Sequence, residues 1–290
     1  MESYIVEEAG GNFRKIDLPR PVLRPNHVLV RIEASGVNPL DTKIRAGKAS
    51  HAKQPLPAVL GVDMAGIVEE VGPGVTAFSR SDEVYGMAGG VGGLQGTLAE
   101  FISVDADLLA HKPANLSTRQ AAALPLVAIT AWEALIDRAH VCADQTVLVH
   151  GGAGGVGHVA VQLARAYNGK VFATVSPDKK SIAESFGAIP IDYRSLSVDE
   201  YVEKITAGKG FDIVFDTVDG ATLDSSFLAV KRYTGHVVSC LGWRTHSLAP
   251  LSMRGANLLR RVHSAPSDHW RRPRTPWRDP GSVCSGPVAT

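Results

Sequence analysis

What this 290-residue chain lacks narrows its function before any motif is read. It has only three cysteines, Cys142, Cys240 and Cys284, odd in number and far apart. Neither a disulfide framework nor a CxxC metal site is implied, and free thiols suit a reducing compartment. Charge of either sign is nearly absent in the balance, +1 formally with 20% charged residues. Bulk electrostatics therefore names no nucleic acid or other polyanion as a partner. No apolar run approaches the roughly 20 residues needed to span a bilayer, and the opening MESYIVEEAG has no basic-then-apolar leader pattern. A cytoplasmic protein with no membrane or nucleic-acid partner is the expectation. No internal repeat of fixed period is present. The 44% hydrophobic content and the length are those of a globular chain with room for two cores.

The most informative stretch runs from Thr146 to Ser176, TVLVHGGAGGVGHVAVQLARAYNGKVFATVS. TVLVH is a β-branched apolar run of the kind buried on both faces of a parallel sheet. The loop that follows fits G-x-G-x-x-G through Gly152, Gly154 and Gly157, with Gly155 and Val156 between them. In this motif the first glycine turns the chain, the second admits backbone to a pyrophosphate, and the third lets helix pack on strand. HVAVQLARAYN then repeats apolar residues at helical spacing, so a helix N-terminus would direct free N–H groups and partial positive charge at the phosphates.

Which dinucleotide is bound turns on the end of the second strand, KVFATV. An acidic residue there accepts from a ribose 2′-OH and repels a 2′-phosphate. This chain has Ser176 at the tip, followed by Pro177, Asp178, Lys179 and Lys180. A small hydroxyl with two nearby cations favours NADPH over NADH. Asp178 takes the acidic role only if the strand runs two residues further, and Pro177 argues that it has already ended.

Residues 1–115 read as mainly β: HVLVRIEASGV, AGIVEEVG, DEVYG and LAEFISV are short strands separated by Gly and Pro clusters. From Ser117, a plausible N-cap, the chain is alanine-rich and helical. Strand and helix then alternate through TVLVH, KVFATV, IPIDY, FDIVFDTV and HVVSCLG. Five strands with crossover helices predict a doubly wound parallel sheet over 116–255. The fold class expected is α/β, a β-rich domain followed by a Rossmann domain.

The motifs GVNPLDTKIRAG (36–47), PAVLGVDMAGIVEEVGPGV (57–75), AAALPLVAITAWEAL, the glycine loop and IDYR around Tyr193 together resemble the medium-chain dehydrogenase/reductase superfamily, in its zinc-independent quinone oxidoreductase branch. The likeness runs almost continuously from residue 1 to about 255. It implies a GroES-like catalytic domain, a Rossmann domain, and NADPH-dependent reduction of a quinone or an α,β-unsaturated carbonyl. Zinc relatives supply a thiolate from G-x-C-x-x-D and an imidazole from G-H-E. This chain has Asn38 and Val62 at those places, with Asp63 after Val62, and neither Asn nor Val is a usual zinc ligand. No metal is expected. Without a Lewis acid, hydride addition to a conjugated acceptor remains accessible because the developing charge is delocalised. The resemblance places Asn38 and Asp41 beside the nicotinamide as catalytic residues, although Asn-Pro and Asp are also common turn formers. It places Thr130, Thr217, Leu241 and Gly242 around the cofactor, and Ser176, Lys180 and Tyr193 around its 2′-phosphate. A homodimer is the assembly it implies. Relatives often carry an aromatic residue where this chain has Lys43, so the substrate pocket is expected to be more cationic.

From about Gly255 the resemblance stops. Residues 256–290 are rich in Arg and Pro, with no lysine and no helical or strand periodicity, and read as a disordered tail in place of the last strand region. Codons chosen for Asn257 to Trp270 and read one nucleotide later give Thr-Tyr-Ser-Gly-Val-Phe-Thr-Leu-Leu-Pro-Leu-Ile-Thr-Gly, which is family-like and compatible with a shifted reading frame. The alternative function is a catalytically impaired NADPH-binding remnant.

Overall fold

The computed structural model describes residues 1–241 and 245–260. They form two compact units, one of residues 1–126 and one beginning at Val127.

All strand pairs of the first unit's two sheets are antiparallel. One sheet has the order β2 (Arg14–Asp17), β1 (Glu2–Val6), β4 (Ala58–Val59). The larger has the order β7 (Phe101–Asp105), β3 (His27–Ser35), β5 (Asp63–Val71), β6 (Glu83–Met87), β8 (Leu109–His111). Alternate residues point inward, as the period-2 pattern requires. Val28 and Val30 of β3, Val68 of β5, Val84 of β6, and Ile102 and Val104 of β7 share one buried cluster. Short helices α1 (Pro39–Arg45) and α2 (Thr118–Ala122) complete the unit.

Ser117 caps α2 as its sequence position suggested: its Oγ accepts from the Gln120 amide at 3.3 Å, and the Gln120 side chain returns a bond to Ser117 N–H at 3.0 Å. This helix belongs to the first unit. Ala121 and Ala122 are fully buried against Ala65 of β5, a close approach that only small side chains permit. The division between units therefore falls after Leu126, later than the boundary at 115 read from the change in composition.

The second unit opens with the rest of α3 (Pro125–Trp132), which continues as a π-helical stretch over Glu133–Arg138. Strand and helix then alternate: β9 (Thr146–His150), α4 (Gly155–Ala166), β10 (Lys170–Val175), α5 (Lys180–Ser185), β11 (Ile189–Asp192), α6 (Val198–Thr206), β12 (Ile213–Asp216), α7 (Ala221–Ala229), β13 (His236–Ser239), α8 (Ala249–Arg254) and β14 (Asn257–Arg260). All strand pairs are parallel, in the order β11-β10-β9-β12-β13-β14. The chain starts at the centre of this sheet, builds outward to one edge and returns to build the other, as in a dinucleotide-binding fold.

The apolar runs are continuous because both faces are covered. Val147, Val149, Val171, Ala173, Ile213 and Phe215 pack on α4 through Ala160, Val161 and Ala164. The alternating residues Leu148, Phe172, Ile191, Val214 and Val237 pack on Tyr201 and Val202 of α6 and Leu223 and Phe227 of α7.

The expected end of the sheet at its fifth strand is corrected here. α8 ends at Gly255, which adopts the left-handed conformation (φ 61°), and β14 then pairs with β13 in the register Val237↔Leu258, Val238↔Leu259. Leu258 and Leu259 alternate between the two faces, one packing on each core cluster. Four residues are too few to show a period in sequence, and it is the pairing that defines them as a strand. The remainder of the tail, 261–290, lies outside the described residues.

Candidate functional site

The C-terminal ends of β9, β10 and β12 converge on a cavity of about 520 Å³ in the second unit. Its lining includes His150, Gly151 and Gly154 from the first crossover, Thr174, Val175 and Ser176 from the end of β10, and Lys179 beyond it. Tyr193, Leu196, Val198, Tyr201, Val218, Ala221, Thr222 and Ser225 also line it. The carboxyl edge beside the central strands is where an open parallel sheet leaves a crevice for ligands.

The glycine loop is shaped by what its glycines avoid. A Cβ on Gly157 would stand 2.1 Å from the carbonyl oxygen of Gly151, and one on Gly152 would stand 2.4 Å from the Ala173 Cβ of β10. Both positions are packing constraints. The turn itself is made by Gly151, which precedes the motif and takes φ 71°. Gly154 is the N-cap of α4, and Gly155, Val156 and Gly157 form its first turn. Amides of a helix's first turn have no intrahelical acceptor, so these three are available to an anion. Val156 also packs its side chain against the core.

At the tip of β10 the two lysines part. Lys179 lines the cavity, whereas Lys180 pairs with Asp192 at 3.3 Å. No carboxylate is among the cavity's described lining residues. Asp178 is held below its ordinary value by the Ser176 side chain first, with Lys179 and Arg194 adding to the effect. It is exposed and outside the lining. Ser176 is the N-cap of a short turn over Pro177–Lys179, so the strand does end there. Tyr193 is 54% exposed at the mouth.

Of the other residues singled out in the sequence, Thr217 follows β12 and donates its hydroxyl to the His150 carbonyl at 2.7 Å, closing the loop beside Gly151. Thr130 is buried on α3. Leu241 follows β13, its amide donating to Ser239 Oγ at 3.3 Å, and Gly242 lies outside the described residues.

In the first unit Asn38 and Asp41 come together at the start of α1. Asn38 is the N-cap, and its amide N–H donates to Asp41 Oδ2 at 2.7 Å. A third residue, Asp63, completes the cluster. It is fully buried at the start of β5, accepts from Asn38 Nδ2 at 2.9 Å, and receives the Leu126 amide on both carboxyl oxygens at 3.1 Å. Burial pushes Asp63 up to about 7, against the pull of the Asn38 and Leu126 donors and with the help of the Asp41 charge. Burial likewise pushes Asp41 up to about 6, and its Oδ1 has no partner among the described residues. Both groups can therefore hold or lose a proton near neutrality. Sequence reasoning passed over Asp63 except to exclude a metal ligand beside it. The signal was its place in the G-V-D that replaces G-H-E.

The second unit holds two further residues that no motif indicated. His150 Nδ1 lies 3.0 Å from Thr174 Oγ1, and burial lowers the ring to about 4, so it is neutral. Tyr201 is buried on α6. No group of three or more His, Cys, Asp or Glu among the described residues is arranged to hold a metal.

Residues 24–114 match the alcohol dehydrogenase GroES-like domain and residues 155–264 the zinc-binding dehydrogenase family. The chain is 36% identical over 252 residues to the NADPH-dependent alkenal/one oxidoreductase of Arabidopsis thaliana chloroplasts, covering 83% of this chain and 63% of that protein. It is 36% identical over 225 residues to the quinone oxidoreductase of Sus scrofa, covering 77% and 66%. The chain thus spans less than two thirds of the length of these relatives. A crystal structure of an alcohol dehydrogenase superfamily protein from Novosphingobium aromaticivorans superposes with a TM-score of 0.88 at 58% identity, covering 90% of this chain and 78% of that one. The chain belongs to the medium-chain dehydrogenase/reductase superfamily, and within it is a quinone oxidoreductase-like protein.

Proposed function

We propose that the chain is a zinc-independent oxidoreductase that binds NADPH in its second unit and reduces a quinone or an α,β-unsaturated carbonyl. The observation that carries the cofactor half is the cavity at the end of β10: Ser176 and Lys179 line it and no described lining residue is a carboxylate. A 2′-phosphate meets a hydroxyl and a cation there, and an NADH-type ribose lacks its usual acidic acceptor. The glycine cradle fits a pyrophosphate, since the first-turn amides of α4 are free to donate and a Cβ at Gly152 or Gly157 would disrupt the backbone that presents them.

When bound, NADPH supplies a hydride, which a conjugated acceptor takes up together with a proton. Asn38 and Asp41 serve the reacting end in this reading. Asp63 fixes the Asn38 amide by accepting from Nδ2. Asp41, raised to about 6, can release or hold a proton at working pH. Names of similar proteins, an alkenal/one oxidoreductase and quinone oxidoreductases, support the acceptor class.

The test is to titrate the purified chain with NADPH and NADH by fluorescence, then follow nicotinamide oxidation with a quinone, an alkenal and a saturated aldehyde. The expected result is tighter NADPH binding, oxidation with the first two acceptors and none with the third. Metal analysis should find well under one zinc per chain. Binding without turnover would favour the impaired remnant, and absence of binding would overturn the reading altogether.

A further inference from the structure

The cavity has a polar floor that the phosphate and glycine contacts do not use. His150 and Tyr201 both line it, each is only 3% exposed, and His150 Nε2 and Tyr201 Oη have no hydrogen-bond partner among the described residues. A buried polar atom without a partner is costly, and phenylalanine at 201 would avoid that cost with the same ring. The two groups sit on one face of the sheet. His150 follows Leu148 by two residues on β9, and Leu148 shares its buried cluster with Tyr201. Thr174, paired with His150 across the strands, engages His150 Nδ1 and accepts the Gly151 amide at 3.3 Å, so the ring is fixed from behind and Nε2 is its unused atom.

Above this floor the lining is mainly apolar, Val175, Leu196, Val198, Val218 and Ala221, with Thr222 and Ser225 beside them. A mainly apolar slot ending in two buried hydrogen-bonding atoms suits a flat nitrogen heterocycle, its faces against the apolar lining and its polar edge toward those atoms. We infer that His150 Nε2 and Tyr201 Oη are specificity-determining contacts that read the polar edge of the purine of the bound dinucleotide. This rests on the dinucleotide reading and adds to it the part of the ligand recognised and the side chains that do so. Because the imidazole is neutral down to about 4, the contact is insensitive to pH across the working range.

The experiment compares NADPH with its hypoxanthine counterpart, which exchanges the purine amino group for a carbonyl and leaves phosphates, riboses and nicotinamide unchanged. Dissociation constants for both are measured by fluorescence on the full chain, on Tyr201→Phe and on His150→Leu, with thermal midpoints alongside. Wild type should prefer NADPH by about fivefold or more, the worth of one hydrogen bond near 1 kcal/mol. Each variant should bind NADPH several-fold more weakly and lose most of the preference, and Tyr201→Phe should keep or raise the thermal midpoint because it removes only an unpartnered hydroxyl. Folded variants that bind both ligands as wild type does, with the preference intact, overturn the inference. If wild type binds neither ligand, it is the dinucleotide reading that fails. If wild type binds both equally, the dinucleotide reading stands and the floor reads no purine edge.

Discussion

The two units build their candidate sites from opposite materials. In the second, the site is made by backbone: a left-handed Gly151, two glycines whose Cβ atoms would meet Gly151 and Ala173, and a helix N-terminus. In the first it is made by side chains, the buried Asn38 and Asp63 and the half-buried Asp41, whose properties come from desolvation and one another. A backbone site tolerates no added atom at its packed glycines yet is indifferent to pH. A side-chain site has the reverse sensitivities, and each expectation below bears on that contrast.

The largest effect is expected at Gly157. An added methyl meets a backbone carbonyl, which cannot swing aside as a side chain can, so Gly157→Ala should cost about 3 kcal/mol, lower the thermal midpoint and abolish cofactor binding. Calorimetry and a binding titration check both. A variant as stable as wild type would show that the cradle yields.

Next comes Asp63. Asp63→Ala leaves the Asn38 amide and the Leu126 N–H buried without their acceptor, at about 1–3 kcal/mol for each group. Asp63→Asn isolates the charge. Folded Asp63 holds its proton up to about 7, against 3.8 ordinarily, so between those values the folded chain binds more protons than the unfolded one. Its contribution to stability therefore falls as pH rises through that window. Denaturation from pH 4 to 8 should show a flatter decline for Asp63→Asn than for wild type. Equal slopes would mean that Asp63 is ionised throughout.

Much of the second unit was legible in the sequence because its determinants are local. The strand runs, crossover helices and glycine spacing lie within short windows, and the parallel doubly wound sheet follows from their order. What escaped was set by distant contacts or by too few residues. Asp63 meets Asn38 across 25 residues and Leu126 across 63, so no spacing rule finds the cluster. β14 is four residues whose strand character comes from β13. The alanine-rich α2 looks like the beginning of the helical half, yet Ala121 and Ala122 bury against Ala65 of the β half. The motif even misplaces one role, since the chain turns at Gly151 and Gly152 is a packing position.

A smaller effect sharpens the cofactor side. Ser176→Asp keeps a good capping residue and puts a carboxylate at the tip of β10, where it would repel a 2′-phosphate and accept from a 2′-OH. The preference for NADPH over NADH should fall about tenfold or more, a change worth about 1.4 kcal/mol. An unaltered ratio would move the phosphate elsewhere. Smallest of all is Gly155→Ala within the same glycine loop. Its Cβ would have only ordinary contact, 3.5 Å from Val127 Cγ1, and alanine is the better helix former, so stability should be unchanged or raised by up to about 1 kcal/mol. A loss as large as that at Gly157 would erase the distinction drawn between glycines that pack and glycines that do not.

The most direct test of the account is the ratio of kcat/KM for NADPH to that for NADH with a quinone acceptor, measured on the wild-type chain. A cavity lined by Ser176 and Lys179, with no carboxylate among its described lining residues, should give a ratio well above ten. A ratio at or below one would contradict the account at its centre.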